Sequence, residues 1–117
     1  PGGEEALVLH DDGADLAART RAARLDQPGH VHEVLVDGGI RSGQDVLRAR
    51  ALGAQGAMIG RAFLYALGAA GQAGVARLLK LMANELDVSM AFCGRTDINQ
   101  VDRSILLNPD IFDRPGY

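Results

Sequence analysis

The chain has 117 residues, 47% of them apolar, and a formal net charge of −3; this suffices for one domain with a core, and no basic run points to a nucleic-acid surface. No unbroken apolar stretch approaches the ~18 residues of a membrane span, and no N-terminal segment has the charged-then-apolar layout of a signal peptide. The single cysteine, Cys93, excludes an internal disulfide and fits a reducing compartment.

Residues 1–30 carry weak signals. Pro1 to Glu5 is polar and Gly-rich, and Ala6-Leu7-Val8-Leu9 reads as a short buried strand. His10-Asp11-Asp12-Gly13 is a turn signal. Asp15 to Leu25 has the makings of an alanine-rich amphipathic helix, broken by Gln27-Pro28-Gly29. From Val31 the pattern sharpens. Val34-Leu35-Val36 is the compact β-branched and leucine run of a strand buried on both faces in a parallel sheet. Ser42 is a good N-cap, Val46, Leu47 and Leu52 set a helical stripe, and Gly53 stands where a C′ glycine ends a helix. Gly56 to Ile59 forms the next strand, so Asp37 to Gly60 spans one βα unit and implies a parallel crossover.

After Arg61, Phe63-Leu64-Tyr65-Ala66-Leu67 predicts a short helix interrupted at Gly68 and Gly71. Gly74 opens the longest helix, with Val75, Leu78, Leu79, Met82, Leu86 and Met90 on one side and Arg77, Lys80, Asn84, Glu85 and Asp87 on the other. Gly94 ends it. In the polar tail from Arg95 to Tyr117, Ile105, Leu106, Leu107, Ile111 and Phe112 are expected to pin the chain to a neighbouring surface. His30 and His32 read as turn or edge histidines, Cys93 as a buried thiol, and Asp97 and Asp102 as solvated surface charges. Met82 and Met90 read as core filler, and no cluster has metal-ligand spacing.

Two strand-to-helix turns carry the chemistry: Asp37-Gly38-Gly39-Ile40-Arg41 and Ile59-Gly60-Arg61. Glycine lets backbone approach a ligand closely because no Cβ intervenes. The amides of Gly38, Gly39, Gly60 and Arg61 can converge on phosphate oxygens, and the following helix start adds free N–H groups and a positive dipole end. Arg41 or Arg61 adds charge-assisted hydrogen bonds. Asp37 repels phosphate and suits the hydroxyl groups of a sugar-like moiety on the same ligand. Two such turns at βα spacing resemble the last two strands of a phosphate-binding (β/α)8 barrel, which grips phosphate on those loops and needs roughly 200 residues or more. The expected fold is therefore α/β: a C-terminal fragment of a TIM (β/α)8 barrel, its last two βα units plus a tail.

The strings Asp37 to Val46, Ala51-Leu52-Gly53-Ala54, Ile59 to Leu67 and Gly71-Gln72-Ala73-Gly74-Val75 together resemble the C-terminal part of the FMN-dependent α-hydroxy-acid oxidoreductases, and are most like the bacterial L-lactate dehydrogenase branch. The resemblance covers residues 31–98, the FMN-phosphate part, between a poorly matching segment 1–30 and a tail 99–117. It implies an FMN cofactor held at Asp37, Gly38, Gly39, Arg41, Gly60 and Arg61, and a parent reaction that oxidises an L-2-hydroxy acid, L-lactate first, to the 2-oxo acid. No catalytic residue carries over. The family's base is a histidine in an upstream His-Gly-Gly-Arg-Gln string; His10 lies too near Asp37 and lacks the arginine. The chain by itself is expected to be inactive. The composition read above makes a cytoplasmic protein the expectation, with association at the inner membrane left open, and a homo-oligomer is expected where the full barrel is present. A non-catalytic truncated fragment, or a piece of another phosphate-binding (β/α)8 enzyme such as an FMN-dependent isomerase, remains the alternative.

Overall fold

A computed structural model describes the backbone of residues 6–10 and the full residues 33–107. The expected Asp15–Leu25 helix, the two histidines His30 and His32, and Ile111 and Phe112 lie outside the described residues. The order is β1 (Ala6–His10), β2 (Glu33–Asp37), α1 (Gly43–Ala51), β3 (Gly56–Met58) and α2 (Arg61–Phe92), then two single 3-10 turns at Ile98–Gln100 and Arg103–Ile105. All three strands are parallel and neighbour one another in chain order, β1-β2-β3. Leu7 registers with Val34 and His10 with Asp37, while Val36 registers with Ala57 and Asp37 with Met58. β1 coincides with the strand expected at Ala6–Leu9, so the sheet holds one strand more than the two final βα units require.

The strand at Val34–Val36 buries one face, not both. Val34 and Val36 are fully buried, whereas Leu35 and Asp37 are only half-buried and Met58 is 44% exposed. The reason is layering: the first core cluster joins Val36, Ile40, Ala49, Ala54 and Met82, with Val46, Ala57, Ile59 and Leu78 around it, so α1 and α2 lie on that face alone. The face that carries Leu35, Asp37 and Met58 is less covered, with only Met58 of the three exposed. Met82 is the plug of this cluster at 6% exposure. Met82→Ala is expected to cost about 2–5 kcal/mol through lost burial and the cavity left behind, read as a lowered urea midpoint with unchanged slope.

α1 begins and ends where the sequence predicts. Ser42 is extended and accepts the Asp45 amide with its side chain; Leu52 is the C-cap, and Gly53 follows at φ 112°. The tail closes the other end of α1: Leu47, Ala51, Met90 and Val101 form a second cluster with Leu86, Ile98, Ile105 and Leu106 packed on it. Ile105 and Leu106 thus pin the tail as expected, whereas Leu107 is exposed.

The helical region after Arg61 has one break, not two. Gly68 keeps helical backbone; the non-helical residues are Ala70 and Gly71, the latter at φ 58°. A helix tolerates glycine at a cost of about 1 kcal/mol, and only the left-handed angle at Gly71 redirects the chain. The kink brings Gly74 so close to the Ala66 carbonyl that a Cβ would overlap it. By length and composition α2 would suffice to cross a membrane, yet Met82 and Met90 pack in the two clusters and Arg77, Lys80, Glu85 and Asp87 line the same segment, so the helix is amphipathic. Leu79, placed by its spacing on the inner side, is exposed. Gly94, at φ 68°, ends the helix as predicted.

One residue near the tail differs from expectation, and two that match it carry an added role. Cys93 is exposed rather than buried, at the C-cap where the helix ends. Asp97 and Asp102 are exposed, as expected, and each also starts a 3-10 turn, Asp97 accepting the Asn99 amide and Asp102 that of Ser104. Hydrogen bonds from the Ser104 hydroxyl and amide, with a smaller pull from Arg95, hold the Asp102 carboxyl below its ordinary value. A depressed carboxyl stabilises the fold above the unfolded-state pKa and loses that contribution as pH falls through its folded value. Asp102→Asn is therefore expected to flatten the acid side of a thermal-stability profile and to leave the slope near neutral pH unchanged.

Candidate functional site

The parallel arrangement decides where the two glycine turns go. Asp37 and Met58 are register partners at the ends of β2 and β3, so both chains leave the sheet side by side at its carboxyl edge, where ligands bind in α/β folds. After β2 the chain turns through Gly38 at φ 98° and Gly39 at φ 71°. These left-handed angles are cheap only for glycine. Ile40 then returns to the core, which leaves Gly38–Gly39 as an arch and Arg41 exposed beside it. After β3, Ile59 packs on the same core while Gly60 starts α2, and Arg61 is exposed as its first residue. All six residues assigned from the sequence, Asp37, Gly38, Gly39, Arg41, Gly60 and Arg61, therefore sit at one edge of the sheet. Asp37 is half-buried and engaged.

The two helix starts are not equivalent. The start of α1 is closed by carboxylates. Asp45 Oδ2 accepts the Arg41 amide at 3.0 Å and the Ser42 hydroxyl at 3.2 Å, Ser42 Oγ accepts the Asp45 amide at 3.3 Å, and Glu85 Oε2 accepts the Gly43 amide at 2.8 Å. Two acidic groups on these donors neutralise the dipole end and oppose a further anion. The start of α2 is open: no side chain caps Gly60, its first turn holds no acidic residue, and a Cβ built on Gly60 would meet nothing within 4 Å. The first helical bond runs from the Leu64 amide to the Gly60 carbonyl at 3.1 Å, so the amides of Arg61, Ala62 and Phe63 have no partner in the helix ladder. An anion placed between the Gly38–Gly39 arch and this helix start meets backbone donors, a dipole end and the Arg61 guanidinium. That donor set and the bare glycine edges fit the phosphate and ribityl chain of FMN.

A cleft of about 620 Å³ lies elsewhere, lined by Arg50 to Gly53 and by Asn99 and Val101 to Ser104. α1 runs back from the carboxyl edge, so its last turn, and this cleft, lie toward the opposite end of the sheet, where Gln55 bonds Val34. The Arg50 guanidinium there donates to the carbonyls of Ile98, Ala54 and Asn99. It ties down the tail. None of the six candidate residues lines this cleft.

The sequence pattern of the FMN-dependent dehydrogenase family matches residues 12–108. An L-lactate dehydrogenase of Caulobacter sp. (strain K31) is 48% identical over 99 residues, which are 85% of this chain and 26% of that protein. Among solved structures, the flavin-binding domain of baker's yeast flavocytochrome b2 is similar with a TM-score of 0.76 and 32% identity, over 86% of this chain and 28% of that one. Mandelate oxidase with benzoyl-formic acid is similar with a TM-score of 0.63 and 44% identity, over 74% of this chain and 24% of that one. The chain spans about a quarter of the length of the curated relatives it matches. It belongs to the FMN-dependent dehydrogenase family.

Proposed function

We propose that, within this family, the chain supplies the FMN-phosphate grip of a (β/α)8 enzyme that oxidises an L-2-hydroxy acid, L-lactate first, to the 2-oxo acid. The observation that carries the reading is the pairing of the Gly38–Gly39 arch with the open start of α2 at one edge of a parallel sheet. The sequential strand order supports taking β2 and β3 as the last two barrel strands, with β1 as the one before them. The L-lactate substrate rests on the name of the relatives matched at 48% identity.

Bound FMN would supply the hydride-accepting chemistry for oxidation of the hydroxy acid, and the residues here would contribute placement and electrostatics. The amides at the start of α2 and the Arg61 guanidinium bind the phosphate. Arg41, exposed beside the arch, adds positive charge from the other side. Gly38 and Gly39 let the ribityl chain lie against the backbone, and Asp37, set back at the strand end, accepts from its hydroxyl groups. No residue assigned here takes the substrate proton, so this part of the fold holds the cofactor and leaves proton abstraction to other residues. The same reading puts the protein in the cytoplasm or at the inner face of a membrane, as a homo-oligomer when the barrel is whole.

The test is a visible spectrum of the chain after mixing with FMN and dialysis. A retained flavin band that L-lactate leaves oxidised is the expected result; a chain stripped of flavin would contradict the grip.

One observation favours a second reading, a non-catalytic piece that needs further surface to cover it. Leu64, Tyr65 and Phe92 of α2 are more than half exposed, and both outer strands of the described sheet have an open edge. Concentration-dependent association in gel filtration without flavin retention would support it.

A further inference from the structure

Glu85 has no part in the phosphate grip itself, yet it reaches from the second segment of α2 to the chain just beyond the glycine arch. Its Oε2 accepts the Gly43 amide at 2.8 Å across 42 residues of sequence. The approach is enforced by a second, independent feature: a Cβ on Gly43 would lie 2.3 Å from both the Met82 carbonyl oxygen and the Leu86 amide nitrogen. The start of α1 therefore rests directly on the α2 backbone, and only glycine fits between them.

The arch from Gly38 to Ser42 has two ends. The β2 end is fixed by the sheet, with Asp37 registered between His10 and Met58. The α1 end is held locally by Asp45 and Ser42, contacts that would move with α1 as a unit. Core packing of Ile40 and Ala49 against Met82 holds that unit on α2, and Glu85 adds the hydrogen bond that ties its first amide, next to the arch, to α2. We infer that Glu85 is a positioning residue: by binding the Gly43 amide it sets where the Gly38–Gly39 arch stands opposite the start of α2, and so tunes affinity for the phosphate of a flavin nucleotide. The consequence for flavin rests on the reading of the grip given above; the mechanical role does not.

Amide hydrogen exchange of the full chain, without ligand, tests the strut directly. Glu85→Ala is expected to speed exchange at Gly43 roughly tenfold, the loss of one charge-assisted hydrogen bond, while the Leu35 and Val36 amides of β2 keep their rates. Glu85→Gln retains an acceptor oxygen and is expected to restore most of the protection. FMN affinity should fall in Glu85→Ala and be largely regained in Glu85→Gln, with a smaller change for riboflavin, which shares the ribityl contact with the arch but lacks the phosphate. Unchanged exchange at Gly43 in Glu85→Ala would overturn the strut, and so would a uniform rise across β2 and α1, which would mark a general loss of stability. A wild-type chain that binds FMN no better than riboflavin would refute the grip instead, and exchange at Gly43 would still decide the role of Glu85.

Discussion

Gly43→Ala is expected to destabilise the fold by ~3 kcal/mol, the upper part of the usual range for overpacking. The atoms in the way are backbone, the Met82 carbonyl oxygen and the Leu86 amide nitrogen at 2.3 Å from the added carbon. Neither can rotate aside, so α1 and α2 must separate. That separation stretches the Glu85–Gly43 hydrogen bond and loosens Met82 in the cluster with Val36 and Ala49. Urea unfolding reads the effect as a fall in midpoint. Gly60→Ala is the matched control: its added carbon meets nothing within 4 Å and Gly60 has a negative φ of −108°, so its midpoint should stay close to that of the parent chain.

The largest functional effect is expected at Arg61. Its guanidinium is exposed at the first position of α2, beside amides that the helix ladder leaves unpaired. Replacing it with alanine removes charge-assisted bonds to phosphate and the fork that makes them bidentate. Hydrogen bonds to charged groups contribute about 1.5–3 kcal/mol, so Arg61→Ala should weaken FMN roughly 10- to 100-fold and leave riboflavin, which lacks the phosphate, unchanged. Arg61→Lys keeps the charge without the fork and should fall between. Equal losses for FMN and riboflavin would show that Arg61 acts on the fold or on the ring system rather than on phosphate. Fluorescence titration of both flavins against the three proteins separates these outcomes.

Local chemistry made much of this architecture readable. Ser42 with Asp45 marks a helix start through side chains that reach only three residues, and Gly53 and Gly94 mark helix ends because their left-handed angles suit glycine. The two glycine turns were legible for the same reason: each is a short string whose conformational needs are written in its own residues. What was not legible depends on neighbours distant in sequence. Gly68 and Gly71 look alike in the string, and only the chain's change of direction separates a tolerated helical glycine from a kink. Glu85 reads as a solvent-facing residue on an amphipathic helix until the fold sets Gly43 against it. The difference between the two helix starts has the same origin, since half of the acidic charge that closes α1 comes from α2. Burial of a strand on both faces was inferred from its apolar run, but a run reports only that a face accepts apolar cover. Which face receives it depends on where the helices lie.

Isothermal titration of the chain with FMN and with riboflavin, repeated in excess inorganic phosphate, tests the central claim most directly. The two glycine turns predict FMN bound at least ~10-fold more tightly than riboflavin, since amide and guanidinium bonds to one phosphate exceed the 1.4 kcal/mol that a factor of ten requires, with inorganic phosphate eroding the difference. Equal affinity for the two flavins, or an FMN affinity indifferent to phosphate, would contradict the assignment of Gly38, Gly39, Gly60 and Arg61 to a phosphate site.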